Sequence, residues 1–280
     1  MVDLAGRTCL VTGANTGIGK ATAQELARMG ARVHLACRSE AKTRPVVEEI
    51  VSTIGNPAVT FLPLDLADLS SVRAAAQTFL DGDEALHILV NNAGVAGQRG
   101  VTADGFELAF GVNHLGHFLL AQLLLDRIVA SAPARIVNVS SEGHYQAKGI
   151  DFDALRQPTR SFTGLPEYAV SKLCNVLFTQ ELARRLDPSA VSASSLHPGA
   201  IGSDIWRRVP WPIRPLMTLF MKSPEEGAET TIYCATAPEL AGTSGRYYDN
   251  CRERDASTFA TPELARQLWE HSEAWAGAPG

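Results

Sequence analysis

The chain has 280 residues, 45% of them apolar and 20% charged, the composition of an ordinary globular protein with a sizeable core. A formal net charge of −5 leaves no basic face for nucleic acid, so no nucleic-acid partner is expected. No apolar run reaches the length of a membrane span, and the five cysteines are scattered without a CxxC pair. The expectation is a cytoplasmic protein with reduced thiols, no leader, no integral membrane segment and no metal site.

Strand-like and helix-like segments alternate from the start. Residues 7–12 (RTCLVT) predict a buried strand and 18–29 a helix with Ile18, Ala21, Leu26 and Met29 inward. A strand at 32–37 (RVHLAC), a helix near 40–53, a strand at 59–64 and a helix at 69–80 follow. Further strands are expected at 86–91, 135–140, 191–197 and 245–250, with helices near 104–129, 167–186 and 262–274. Continuous apolar strands between amphipathic helices define an α/β protein. The expected architecture is one domain over 1–280: a doubly wound, Rossmann-like fold with a mostly parallel seven-stranded sheet. Two long irregular connections, 142–167 and 200–224, lie beyond strand ends where such sheets place ligands, and the second, apolar and proline-rich, is a candidate substrate lid.

Between the first strand and first helix stands TGANTGIG (12–19). Gly13 permits a tight turn, and Gly17 and Gly19 let backbone approach a pyrophosphate at a helix N-terminus, with Asn15, Thr16 and Ile18 completing the loop. A lone glycine cluster is weak evidence, but here the strand–turn–helix context is present. YAVSK (168–172) puts Tyr168 and Lys172 on one helix face, and a neighbouring ammonium favours the phenolate and brings its pKa toward the working range. IVNVSS (136–141) ends a strand in two serines, either turn formers or holders of a substrate oxygen. His114 and His117 lack a third ligand and are expected to pack and hydrogen-bond. His144 either touches substrate or faces solvent from its loop. Cys37 and Cys174 are expected to be small buried side chains.

In order, TGxxxGIG, NNAG (91–94), Asn113, Ser141, YxxxK and HPG (197–199) resemble the short-chain dehydrogenases/reductases of the classical type over nearly the whole chain. TADGFELAFGVNHLGHFLL, SKLCNVLFTQELARRL and SGRYYDNC are similar to the retinol dehydrogenase-like branch, with protochlorophyllide reductases as near relatives. Ala200 stands where those reductases are expected to carry a pocket cysteine, and 142–167 is short for them. The resemblance implies roles residue by residue. Tyr168 would be the general acid in reduction, with Lys172 lowering its pKa and holding the nicotinamide ribose. Ser141 would bind the substrate oxygen, and Asn113 would complete a proton relay through water. Asn92, Ala93 and Gly94 would lie against the adenosine ribose, Asp65 and Leu66 against adenine, and Ile201 and Ser203 beside the carboxamide and phosphate.

Cys37 replaces the ribose-binding acid of NAD-preferring relatives, and Arg38 follows it, so NADP(H) is the expected cofactor. The expected function is interconversion of a lipophilic, retinal-like aldehyde or ketone with its alcohol. The alternatives are a tailoring ketoreductase of a secondary metabolite, steroid or sugar, and a non-catalytic NADP(H) sensor. Family members pair through helices that would be 104–129 and 167–186 here, which admits a homo-oligomer unless the 142–167 segment obstructs it.

Overall fold

A computed structural model describes residues 2–187, 190–199 and 223–277. The apolar runs become strands β1 (Thr8–Thr12), β2 (Arg32–Cys37), β3 (Val59–Pro63), β4 (Ile88–Asn91), β5 (Ala134–Val139), β6 (Val191–His197) and β7 (Arg246–Asp249). All are parallel to their neighbours, and the order β3-β2-β1-β4-β5-β6-β7 reverses direction of growth beside β1. That reversal opens the crevice at the carboxyl ends where such sheets bind ligands.

Among the described residues the sheet has eight strands rather than seven. β8 (Arg252–Arg254) returns antiparallel to β7 through Asn250 and Cys251, both at positive φ as a tight hairpin requires. Its three residues are exposed and charged, so no apolar alternation announced it.

Helices α1 (Gly17–Arg28), α2 (Glu40–Ile54) and α6 (Pro224–Thr236) cover one face, where Leu26, Ile50 and Cys234 join β1 and β2 side chains. The other face carries α3 (Leu69–Asp81), α4 (Leu108–Ala130) and α5 (Leu165–Arg185). Helix α7 (Pro262–Ala276) packs outside α4 and α5. Its Trp269 meets Phe118 edge-on at 5.1 Å between ring centroids, and Arg185 lies 4.2 Å over the same indole. α7 thus covers part of the helical face considered for pairing.

Helix α4 is wound as a π-helical turn over Gly111–Leu115. Small residues make this turn fit: a Cβ on Gly111 would come within 2.3 Å of Thr102, and one on Gly116 within 2.7 Å of the Leu66 carbonyl. The widened turn aims Asn113 across toward α5, a use to which such turns are often put at functional sites.

Candidate active site

A cavity of about 790 Å³ runs over the carboxyl ends of β1, β2, β4 and β5, large enough for a dinucleotide. Gly13, Asn15, Thr16, Gly17, Ile18 and Gly19 form its floor. Gly13 and Gly17 have φ of 65° and 56°, which suits residues without a Cβ. A Cβ on Gly13 would also meet Ala93 at 2.9 Å, and one on Gly19 would strike Asn92 and the Gly13 carbonyl at 2.4 Å. The loop is therefore pressed against the 92–94 segment. Asn92 Nδ2 donates to the Thr12 carbonyl at 2.8 Å, and the Asn92 and Ala93 amides donate to Thr12 Oγ1 at 2.9 Å each.

One end of the cavity is lined by Arg38, Asp65 and Leu66, three of the expected cofactor-binding residues, and by Ser39 and Lys42, which the residue order did not single out. Arg38 and Lys42 are exposed and form no ion pair among the described residues. Lys42 occupies the first turn of α2, where the helix dipole disfavours a cation, and the Ser39 side chain makes no capping bond there. That misplaced charge was the available signal. Cys37 and Cys174 are buried, and burial pushes both thiols up.

The other end carries Gly94, Tyr168 and Lys172. Helix α5 starts at Leu165 because Gly164, at φ 67°, sits so close to the Gln98 backbone that a Cβ would come within 2.7 Å. Tyr168 follows in the first turn with the Ser141 hydroxyl at its side: a Cβ on Gly143 would lie 3.3 Å from the tyrosine ring and 3.4 Å from Ser141 Oγ, and hydrogen bonding from Ser141 favours the ionised phenol. Ser140, rather than Ser141, is the serine of the pair that lines the cavity, but its hydroxyl is taken, donating to the Lys172 carbonyl at 2.7 Å. Lys172 Nζ donates to the Val139 carbonyl at 2.8 Å and has no carboxylate partner among the described residues. Burial pushes its pKa down to about 7.

Burial also raises the Tyr168 phenol above its ordinary value, with the Ser141 bond pulling the other way. This corrects the expected downward shift: the ammonium that was to lower the phenol is itself desolvated.

Of the expected site residues, Asn113 and Ser141 are not among those that line the cavity. Asn113 is buried, its Oδ1 accepting from the Val95 amide at 2.8 Å and its Nδ2 donating to the Val95 carbonyl and Ser171 Oγ. Its side chain thus ties the loop after β4 to the tyrosine helix. Glu107 plays a similar part that sequence reasoning missed. Its buried carboxylate caps α4 at the Phe110 amide and accepts from Thr159 Oγ1 at 2.5 Å, while Thr159 pairs with Gly100. His114 and His117 are buried and hydrogen-bonded as expected, and no metal-binding group forms among the described residues. His144 is buried rather than solvent-facing. Ile201, Ser203 and 200–222 of the candidate lid lie outside the described residues.

A parallel sheet with this reversal, a glycine floor and a Tyr–Lys pair define a nucleotide-dependent oxidoreductase. The chain belongs to the short-chain dehydrogenase/reductase family, in its retinol dehydrogenase-like branch. The short chain dehydrogenase family model matches residues 7–151. Human retinol dehydrogenase 11 is 47% identical over 99% of this chain and 88% of its own length. Human retinol dehydrogenase 13 is 45% identical over 95% of this chain and 83% of its own. Among solved structures, a Mycobacterium paratuberculosis protein superposes with a TM-score of 0.79 at 32% identity, covering 99% of this chain and 96% of that one. Pseudomonas aeruginosa RhlG, solved as an NADP active-site complex, gives 0.69 at 26% identity, with coverage of 92% and 98%. The chain is thus an oxidoreductase that uses a nicotinamide cofactor and interconverts a carbonyl and an alcohol.

The comparisons correct the cytoplasmic expectation, because the retinol dehydrogenase relatives are membrane-associated enzymes. Helix α4 is also long and apolar enough to cross a membrane by length and composition, although 78% of that stretch is buried in the fold. The expectation rested on the want of an apolar span, and attachment at a membrane surface needs none.

Proposed function

We propose that this enzyme uses NADP(H) to interconvert a lipophilic, retinal-like aldehyde or ketone with its alcohol, Tyr168 serving as general acid and base. The observation that carries the reading is the juxtaposition of the Ser141 hydroxyl with the Tyr168 ring around Gly143, with Lys172 one helical turn away at the same end of the cavity. The cradle suits a dinucleotide: the glycine floor leaves backbone bare, and a Cβ on Gly94 would sit 3.6 Å from Lys172 Nζ. When bound, a nicotinamide nucleotide supplies or accepts the hydride.

The chain's own groups do the rest. Negative charge grows on the carbonyl oxygen during reduction, and Ser141 and Tyr168 hold that oxygen with two hydroxyls. Tyr168 then gives its proton, which its raised pKa keeps in place at neutral pH. Lys172 holds the nicotinamide ribose, and Asn113 connects Tyr168 to solvent through a water. Asn15, Thr16 and the first turn of α1 hold the pyrophosphate, while Asp65 and Leu66 flank adenine. Arg38 and Lys42 support the preference for NADP(H): two cations without an ion pair among the described residues line the end of the cavity that would take a ribose 2′-phosphate in this reading. The retinoid-like substrate class is supported by the names of relatives 45–47% identical.

The test is oxidation of NADPH and of NADH with retinal, simple aldehydes and ketones, in wild type and Tyr168→Phe. Retinal turnover with NADPH that vanishes in Tyr168→Phe, with NADPH affinity retained, is the expected result. Tight NADPH binding without turnover of any carbonyl would sink the reading.

A further inference from the structure

Three residues beyond Ser141 a histidine is buried in a segment whose other members are largely exposed. His144 has no accessible surface, whereas Glu142, Tyr145 and Gln146 face solvent. Its Nδ1 lies 2.7 Å from the Ser141 carbonyl, which can only accept, so Nδ1 carries the hydrogen. Its Nε2 accepts from the Ser257 amide at 3.1 Å. One neutral tautomer satisfies both nitrogens, and burial favours that same uncharged ring. Tyr145 and Tyr247 hold the ring at centroid distances of 3.9 and 4.6 Å.

The Ser141 carbonyl belongs to the peptide through which the chain leaves the strand edge for the turn at Glu142–Gln146. Fixing it fixes the extended backbone of Ser141, at φ −167° and ψ 155°. In that conformation Ser141 Oγ accepts from the Gly143 amide at 3.0 Å and meets the Tyr168 phenol. Gly143 is pressed close enough that a Cβ would lie 3.3 Å from the tyrosine ring. We propose that His144 is a positioning residue for Ser141 and Tyr168, anchoring the serine carbonyl to the Ser257 segment so that the hydroxyl stays on the phenol. This rests on the reading of Ser141 and Tyr168 as the pair that holds the reacting oxygen.

The two ring nitrogens can be replaced separately. His144→Asn puts an amide donor where Nδ1 was and keeps the bond to Ser141. His144→Gln reaches the Nε2 position and keeps, of the two side-chain bonds, only that to Ser257; the backbone amide of residue 144, 3.1 Å from the Ser141 carbonyl, is common to both variants. Both variants lose ring packing, so a purely structural role affects them alike. With retinal and saturating NADPH, His144→Asn should keep kcat within about threefold, while His144→Gln loses about 10- to 100-fold in kcat with KM unchanged. Amide hydrogen exchange at Gly143, which needs no substrate, should stay slow in His144→Asn and quicken in His144→Gln. Equal losses in both variants, tracking their melting temperatures, would overturn the proposal, as would wild-type kcat and Gly143 protection in His144→Gln. If wild type fails to reduce retinal, the substrate reading falls, and Gly143 exchange alone then decides the role of His144.

Discussion

His117 joins the π-helical turn of α4 to the end of β1: its Nε2 lies 2.8 Å from Thr12 Oγ1 and its Nδ1 3.0 Å from the Asn113 carbonyl. The carbonyl requires the hydrogen on Nδ1, so Nε2 accepts from the Thr12 hydroxyl. Thr12 Oγ1 is thereby left to receive the Asn92 and Ala93 amides. A histidine orients a threonine, and the threonine holds the cofactor wall.

Replacing His117 with Phe keeps the volume roughly but deprives the Thr12 hydroxyl of its 2.8 Å acceptor, leaving it only the Val90 carbonyl at 3.4 Å. The expected cost is about 1–3 kcal/mol of stability, together with weaker NADPH binding. Urea denaturation and fluorescence titration measure the two effects. Unchanged values in both would mean the bond is incidental.

Arg38 and Lys42 carry the cofactor preference in the proposed reading. Arg38→Ala should raise KM for NADPH about tenfold or more while leaving that for NADH nearly unchanged, since a charged hydrogen bond is worth about 1.5–3 kcal/mol. Lys42→Ala should act in the same direction, and the double variant should lose most discrimination. Equal changes for both nucleotides would make these ordinary surface cations.

The pH dependence follows from two groups with opposite shifts. Tyr168 is raised, so its proton is held through neutral pH, and reduction declines only on the alkaline side while oxidation rises with pH. Lys172 is lowered to about 7, so its ammonium is lost as pH climbs past that value. In the free enzyme, kcat/KM for reduction should therefore show a first decline near pH 7. Lys172→Arg, which remains charged, should remove that decline. Its persistence would assign it to another group.

Acid stability depends on buried imidazoles. Burial lowers His114 to about 3 and His117 to about 4, from an ordinary 6.5. Below about pH 6.5 the unfolded chain takes up protons that these folded residues refuse, so stability falls with pH, fully for each only once its folded pKa is passed. Each contributes a slope of about 1.4 kcal/mol per pH unit. His114 packs beside Phe110 and Phe118, its Nδ1 unpaired among the described residues. His114→Phe should fold and flatten the acid slope by one proton's worth in denaturation at graded pH. An unaltered slope would place the proton uptake elsewhere.

Much of this arrangement was legible in the residue order. Continuous apolar runs such as 86–91 and 135–140 marked β4 and β5, and TGANTGIG followed by a helix marked the cavity floor. What escaped depends on contacts distant in sequence. The histidine role at 144 is defined by Ser257, Glu107 by Thr159, and the Tyr168 shift by burial that no local pattern records. β8 escaped for the opposite reason, as three exposed charged residues carry no strand periodicity.

Helix α7 has one further consequence. It joins the fold through side chains, with no ladder bonds to the sheet, and its fixings include His114 on Ser272 and Arg73 on the Ala276 carbonyl. Its detachment would leave every strand pairing intact while uncovering Phe118 and Phe178, so it defines a unit of partial unfolding below the global transition. Because His114 is the neighbour of Asn113, that opening loosens the turn beside α5 first. Amides over 262–276 exchanging faster than those of β4 and β5 would be its signature, and a common rate would show that the molecule opens as one.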